Sequence, residues 1–359
     1  MLKDLCFEVI QTCPNNCKFC SSNSSIKEKK IIPIDVFKKT VEHFIKNGGI
    51  EEISISGGEP FLHPDLFEMV RFCKENNIRT VIFTSGIKRS EKLSEEEISA
   101  LIKECSSSIE EIERYEPWNE RSKEGIRKFY ERMIQGTDFS AISNGEFQML
   151  KSLGLDKIVF DYQAAEEETY NMLMGTRSLM TDVITSMIRA RMNGLKVDVH
   201  FIPMKSNYRE FKDILECLDI AGIDNISLLN FVPQGRGKQN KDLLMLSDEE
   251  MREFSEIFQE ARRNYNGKIR VGIPLLGDVS HSCTAGTEKL DIKYDGTVLP
   301  CPAFKEIDAD ILKKRGITLY NIYEDLDSII VPGGKRGRPL CREIYKFSSM
   351  LRPKDGSDR

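Results

Sequence analysis

At 359 residues the chain can bury one large core or two smaller ones. A net charge of −5 gives no electrostatic case for nucleic acid or an anionic membrane as partner, and no apolar run is long enough to span a bilayer. Without a charged-then-apolar export signal the chain is expected to be cytoplasmic, where its ten cysteines stay reduced and serve packing, metal or cluster binding rather than disulfides.

Residues 5–11 read as an apolar strand. A helix follows at 33–47, with Phe37, Val41, Phe44 and Ile45 on one face, Pro33 in its first turn and Gly48 at its end. Strands at 50–56 and 79–85 flank a helix at 65–77. The alternation resumes with strands at 157–161, 196–203 and 225–232 around helices at 179–193 and 208–221. Six strands separated by helices pair in parallel through right-handed crossovers. The expected fold is therefore α/β, a partial (β/α)6 TIM-like barrel with its site at the C-terminal strand ends. Residues 1–237 make this core. A charged, mostly helical insert at about 87–143 interrupts it, carrying the single tryptophan, Trp118, and a capping box at Ser94 and Glu97. The insert reads as a solvated decoration, with a lid or docking arm as the alternative. Residues 238–267 bridge, through a helix begun by Ser247 and Glu250, to a small α+β unit at 268–350. A polar tail occupies 351–359.

Cys13, Cys17 and Cys20 follow the first strand directly. Three thiolates with no histidine nearby in sequence do not close a tetrahedral zinc site. They can hold three irons of a [4Fe–4S] cluster and leave the fourth open, a zinc site being the alternative. The second strand runs into Gly57-Gly58-Glu59-Pro60, where glycines permit close approach of the backbone to a ligand.

The cysteine spacing, with Phe19 before the last cysteine, and the Gly57–Pro60 segment resemble the radical S-adenosylmethionine (SAM) superfamily. The resemblance implies that SAM chelates the open iron, that an electron from the cluster cleaves it, and that the resulting 5′-deoxyadenosyl radical takes a substrate hydrogen atom. It also implies a reductant such as flavodoxin or ferredoxin. Phe19 matches the aromatic near the adenine. Gly57, Gly58, Glu59 and Pro60 match the SAM segment, with Glu59 accepting from the SAM amino group. Ser85 stands where many relatives have asparagine. Asp161 is kept on strand four, although Val159 replaces a small polar SAM contact. Glu8 stands at a glutamate common in the family. His200 reads as a structural strand histidine or one facing the cavity. Arg236, in Gln-Gly-Arg-Gly, reads as an orienter of a carboxylate or a solvent-facing turn residue.

Cys283, Gly296 and Cys301 bracket a predicted hairpin of residues 290–294 and 297–299, and Cys341 lies downstream. This set resembles the twitch unit, a shortened SPASM domain, and implies one auxiliary [4Fe–4S] cluster. Its remaining position is open or filled by another residue such as His281, and zinc is the alternative. Lys335, Arg336, Arg338 and Arg342 read as a solvated face or, beside an open iron, as a holder for a substrate phosphate or carboxylate. Cys6, Cys73, Cys105 and Cys217 read as packing residues. The expected function is a radical SAM enzyme that oxidises, rearranges or crosslinks a small molecule. A maturase of a ribosomally made peptide is the alternative, disfavoured because the chain starts almost at strand one. A non-catalytic iron–sulfur binding or sensing protein is the third reading.

Overall fold

The first strand, β1 (Asp4–Ile10), is buried on both faces along nearly its whole length, as a central parallel strand must be. The structure is a computed structural model that describes residues 1–90, 94–115, 120–135, 138–175, 180–272, 283–314, 316–331 and 333–334. From β1 the sheet grows in chain order through β2 (Glu52–Gly57), β3 (Arg79–Thr84), β4 (Lys157–Asp161), β5 (Val197–Phe201) and β6 (Asn225–Leu228), all parallel. These are the six strands read from the sequence, assembled as an α/β partial barrel. β7 (Lys268–Val271) continues the parallel order beyond β6.

The other edge was less legible. β8 (Lys289–Ile292) pairs in parallel with β1, and β9 (Thr297–Leu299) and β10 (Tyr320–Asn321) extend it antiparallel. The hairpin turning at Gly296 thus shares a sheet with β1, and residues 268–271 lie at the far edge from it.

Helices cover the sheet where the apolar periodicity placed them. Ile34–Lys46 buries Phe37, Val41 and Phe44, and Leu66–Glu75 buries Leu66, Met69, Val70 and Cys73. Asp248–Asn264 starts with the expected reciprocal capping of Ser247 and Glu250. It also packs Phe254 and Phe258 on Phe211, with ring centroids 5.5 and 6.2 Å apart, so this helix is part of the main core.

The insert contains helices Glu95–Tyr115 and Glu120–Gln135. It is entered and left through an unforeseen antiparallel ribbon, Ile87–Arg89 against Phe139–Ala141. Trp118, the Glu97 side chain, His281, Cys341, the basic residues Lys335, Arg336, Arg338 and Arg342, and the tail at 351–359 lie outside the described residues. Among the described residues no helix is long and apolar enough to cross a membrane.

Candidate functional site

The C-terminal ends of the parallel strands open on a cavity of about 400 Å³. Cys13, Cys17 and Cys20 line it together. Burial pushes the Cys13 thiol well up, and Glu59 and Cys20 add to the rise. Burial does the same at Cys17, with Cys13, Cys20 and Asp161 adding. Buried thiols that oppose one another's ionisation stay protonated until a cation compensates them, and an iron–sulfur centre is such a cation. The donor set therefore fits a cluster. Among the described residues no three His, Cys, Asp or Glu side chains are grouped for a single metal ion.

Gly57 and Gly58 also line the cavity, and Gly57 adopts a φ of 136°. A Cβ on either would run into the carbonyl oxygens of Ile10 or Thr12. The glycines thus let the end of β2 lie directly on the backbone entering the cysteine loop, where Glu59 N donates to Thr12 O at 2.9 Å. Glu59 itself is fully buried and does not line the cavity. Its oxygens accept from Thr84 Oγ1 (2.7 Å), from Ser85 N (2.8 Å) and Oγ, and from Phe61 N (3.2 Å). The role of accepting from the SAM amino group thus meets a carboxylate already engaged on both oxygens. Here Glu59 ties the end of β3 to the end of β2. Burial raises its carboxyl to about 7 against the pull of these donors. Pro60 opens the short turn Pro60–Leu62 beside it, outside the cavity lining.

Ser85, Asp161, Phe19 and His200 line the cavity. Asp161 accepts from Gln163 Nε2, and burial raises its carboxyl to about 6. His200 is its partner across the β4–β5 register and lies against the Phe83 ring at 5.1 Å. Burial, and then Arg270, Lys157 and Lys289, lower His200 to about 3, so it stays a neutral imidazole at working pH.

Arg236 and Glu8 already have partners within the chain. Arg236 is half-buried and lines the cavity, but two of its donors are already engaged by the cysteine loop. Its Nε donates to Cys17 O (2.8 Å) and its Nη2 to Ser24 O (2.7 Å). Glu8 is buried and lines the cavity, but its Oε1 already accepts from Lys305 Nζ and from Ser22 Oγ, both at 2.6 Å. Lys305 was not singled out by sequence. No local pattern marks a lone lysine four residues after Cys301. It also donates to Ser21 Oγ and Ser22 Oγ. Although burial works against its charge, Glu8 and Asp291 hold its ammonium above the ordinary lysine range. Cys6, assigned to packing, lines the same wall.

Cys283 and Cys301 fall in one small apolar cluster with Phe304, Leu312 and Ile317, away from the cavity wall. The residues that follow Cys301, among them Pro302 and Ala303, reach that wall.

Residues 7–146 match the model of the Radical SAM superfamily. Those residues form a radical SAM domain. That domain brings SAM and a [4Fe–4S] cluster as cofactors. This radical SAM chain is similar, at 20% identity over 321 residues, to the PqqA peptide cyclase of Gluconobacter oxydans, covering 88% of this chain and 75% of the cyclase. The PqqA peptide cyclase of Bradyrhizobium diazoefficiens matches at 20% over 307 residues, 84% of this chain and 66% of that one. Among solved structures it is similar to Streptococcus suis SuiB bound to S-adenosylmethionine, with a TM-score of 0.58 at 17% identity. That likeness covers 91% of the radical SAM chain but 64% of SuiB, so the chain spans a little under two thirds of SuiB's length, and it shows a shared fold.

Proposed function

We propose that this radical SAM enzyme modifies a ribosomally made precursor peptide. The observation that carries the reading is the kind of relative that matches along most of the chain. PqqA peptide cyclases align over 84–88% of it, and SuiB, alike in fold, has been solved with its precursor peptide SuiA. The small-molecule substrate expected from the sequence gives way to this reading. A cavity of about 400 Å³ suits one occupant of small-ligand size, so a peptide would present a single residue at its mouth.

On this reading Cys13, Cys17 and Cys20 hold the cluster, and Phe19, Gly57, Gly58, Ser85 and Asp161 surround SAM. Cys283, Cys301 and Cys341 hold an auxiliary cluster, and an external donor such as flavodoxin or ferredoxin supplies the electron. The bound cofactors supply hydrogen-atom abstraction. The chain's own part is enclosure. Glu59 locks the strand ends that floor the cavity, while Phe83, Val159 and Phe231, beside the uncharged His200, give its wall an apolar stretch.

The test is anaerobic reconstitution with iron, sulfide, dithionite and SAM, in the presence of peptides encoded beside the gene. The expected outcome is 5′-deoxyadenosine formation and a peptide mass change, both abolished in Cys17→Ala. Wild-type protein that carries its cluster yet forms no 5′-deoxyadenosine would sink the enzyme reading in favour of a binding or sensing protein. Turnover coupled to a small metabolite and to no peptide would restore the small-molecule reading.

A further inference from the structure

The loop that carries the three cysteines does not stand on its own. A second stretch, more than two hundred residues away in sequence, is wrapped around its backbone. Arg236 N donates to Cys20 O at 3.0 Å, and Asn240 Nδ2 donates to Lys18 O at 3.2 Å. The Arg236 side chain reaches past them to bond Cys17 O and Ser24 O, bracketing the loop's second half. The flanking glycines make this approach possible. Gly235 adopts a φ of 55°, and a side chain there would press on the Cys20 carbonyl. At Gly237 a Cβ would come within 3.1 Å of Phe19 O. Such contacts set the path of the loop, and with it the directions of Cys17 and Cys20.

The chemistry of the pair is as informative as its geometry. The partners of the half-buried guanidinium are neutral carbonyls, so they satisfy its donors without balancing its charge. Arg236 lines the same cavity as Cys13, Cys17 and Cys20, and its side chain is bonded to the backbone of Cys17 itself. A fixed cation whose partners are carbonyls, held against the loop of three cysteines, would lie beside the thiolate-bound cluster that loop carries. We infer that Arg236 is a positioning residue of the cysteine loop whose charge sets the reduction potential of the cluster held there. An electron added to the cluster deepens the local negative charge, so a nearby cation favours the reduced state. The inference rests on the assignment of that cluster to Cys13, Cys17 and Cys20.

The test is a redox titration of the anaerobically reconstituted full chain, followed by the EPR signal that responds to SAM and by iron content. Arg236→Gln is expected to titrate at a more negative midpoint than wild type and to lose iron more readily on gel filtration. Arg236→Lys keeps the charge but cannot fork between two carbonyls. It should hold a midpoint near wild type while retaining less iron. A wild-type midpoint and signal in Arg236→Gln overturns the inference, as does an equal displacement in both variants. Should Arg236→Gln hold too little iron to titrate, Arg236→Lys decides alone: a wild-type midpoint supports the role of charge, and a more negative one overturns it. Cys17→Ala separates this from the underlying assignment. If that variant keeps the SAM-responsive signal, the cluster assignment has failed; if it loses the signal while Arg236→Gln matches wild type, only the role of Arg236 has failed.

Discussion

Asp161 and His200 stand side by side on neighbouring strands and face the same cavity, yet burial pushes them in ways that leave no opposite charges to pair. The imidazole is neutral because its charged form is the one burial disfavours, and Asp161 has one side-chain donor to hold its charge. The consequence for pH can be worked out. With its folded value raised from 3.8 to about 6, Asp161 binds a proton more tightly in the folded chain than in the unfolded one. Stability from this group is therefore greatest at low pH and falls as pH rises through about 6. Asp161→Asn removes the ionisation. In the protein before reconstitution, the variant should melt above wild type at pH 7.5, and the gap should narrow as pH is lowered through 6 towards 4. A gap that is flat across this range would show that the carboxylate is solvated or paired. At this scale the sequence showed which side chains face the cavity better than what they bond. Spacing puts Glu59 at a strand end, but its four donors come from Phe61, Thr84 and Ser85, and the strand-three partners lie some 25 residues on. Partner choice of that kind follows from packing, not from local pattern.

Among the elements, a second contact that constrains the cysteine loop from the C-terminal side is the buried pair of Glu8 and Lys305. It joins β1 to the turn after β9, and Ser21 and Ser22 complete it from the loop. Both charged side chains are almost wholly enclosed, at 2% and 9% exposure, so removing one strands the other. Lys305→Met should lower the unfolding free energy by about 3–5 kcal/mol, the usual cost of leaving a buried charge without its partner. The double variant Glu8→Gln with Lys305→Met should lose clearly less than the sum of the two single variants. Urea unfolding of all four proteins closes that cycle, and additive losses would mean the pair is not coupled. Gly58→Ala probes the opposite face of the loop. Because its methyl would overlap Thr12 O, it should cost about 1–3 kcal/mol or prevent folding, whereas glycine-to-alanine changes in open positions are mild. The strands and helices themselves were legible, since apolar alternation and 3.6-residue stripes report on burial directly. That β8 would run beside β1 was not, because nothing in residues 289–292 names its neighbour.

For the molecule as a whole, the sheet places the cavity against residues from both halves of the chain, while the insert at 87–143 leaves from its side. The two insert helices pack on each other, and their connection to the barrel is the ribbon of Ile87–Arg89 with Phe139–Ala141. The ribbon keeps its own anchors. Ser186 Oγ donates to Gly86 O at 2.6 Å and receives Ile142 N at 2.8 Å, while Lys88 pairs with Glu146 at 2.9 Å. At its outer end Ser90 N donates to Asp138 O at 3.0 Å, which is the geometry a two-residue hairpin turn closes. Replacing residues 91–137 by Asn-Gly should therefore leave the barrel folded, with an unchanged melting temperature for the remaining core and with wild-type iron content. SAM cleavage without peptide should persist, because none of the described insert residues lines the cavity. Peptide turnover separates the two readings of the insert that its charge pattern left open. If the helices are a solvated decoration, kcat/KM for the peptide is retained. If they form a docking arm, KM rises while the uncoupled formation of 5′-deoxyadenosine stays constant. A collapse of both activities together with iron content would instead show that the helices brace the barrel, contrary to the anchoring seen in the ribbon.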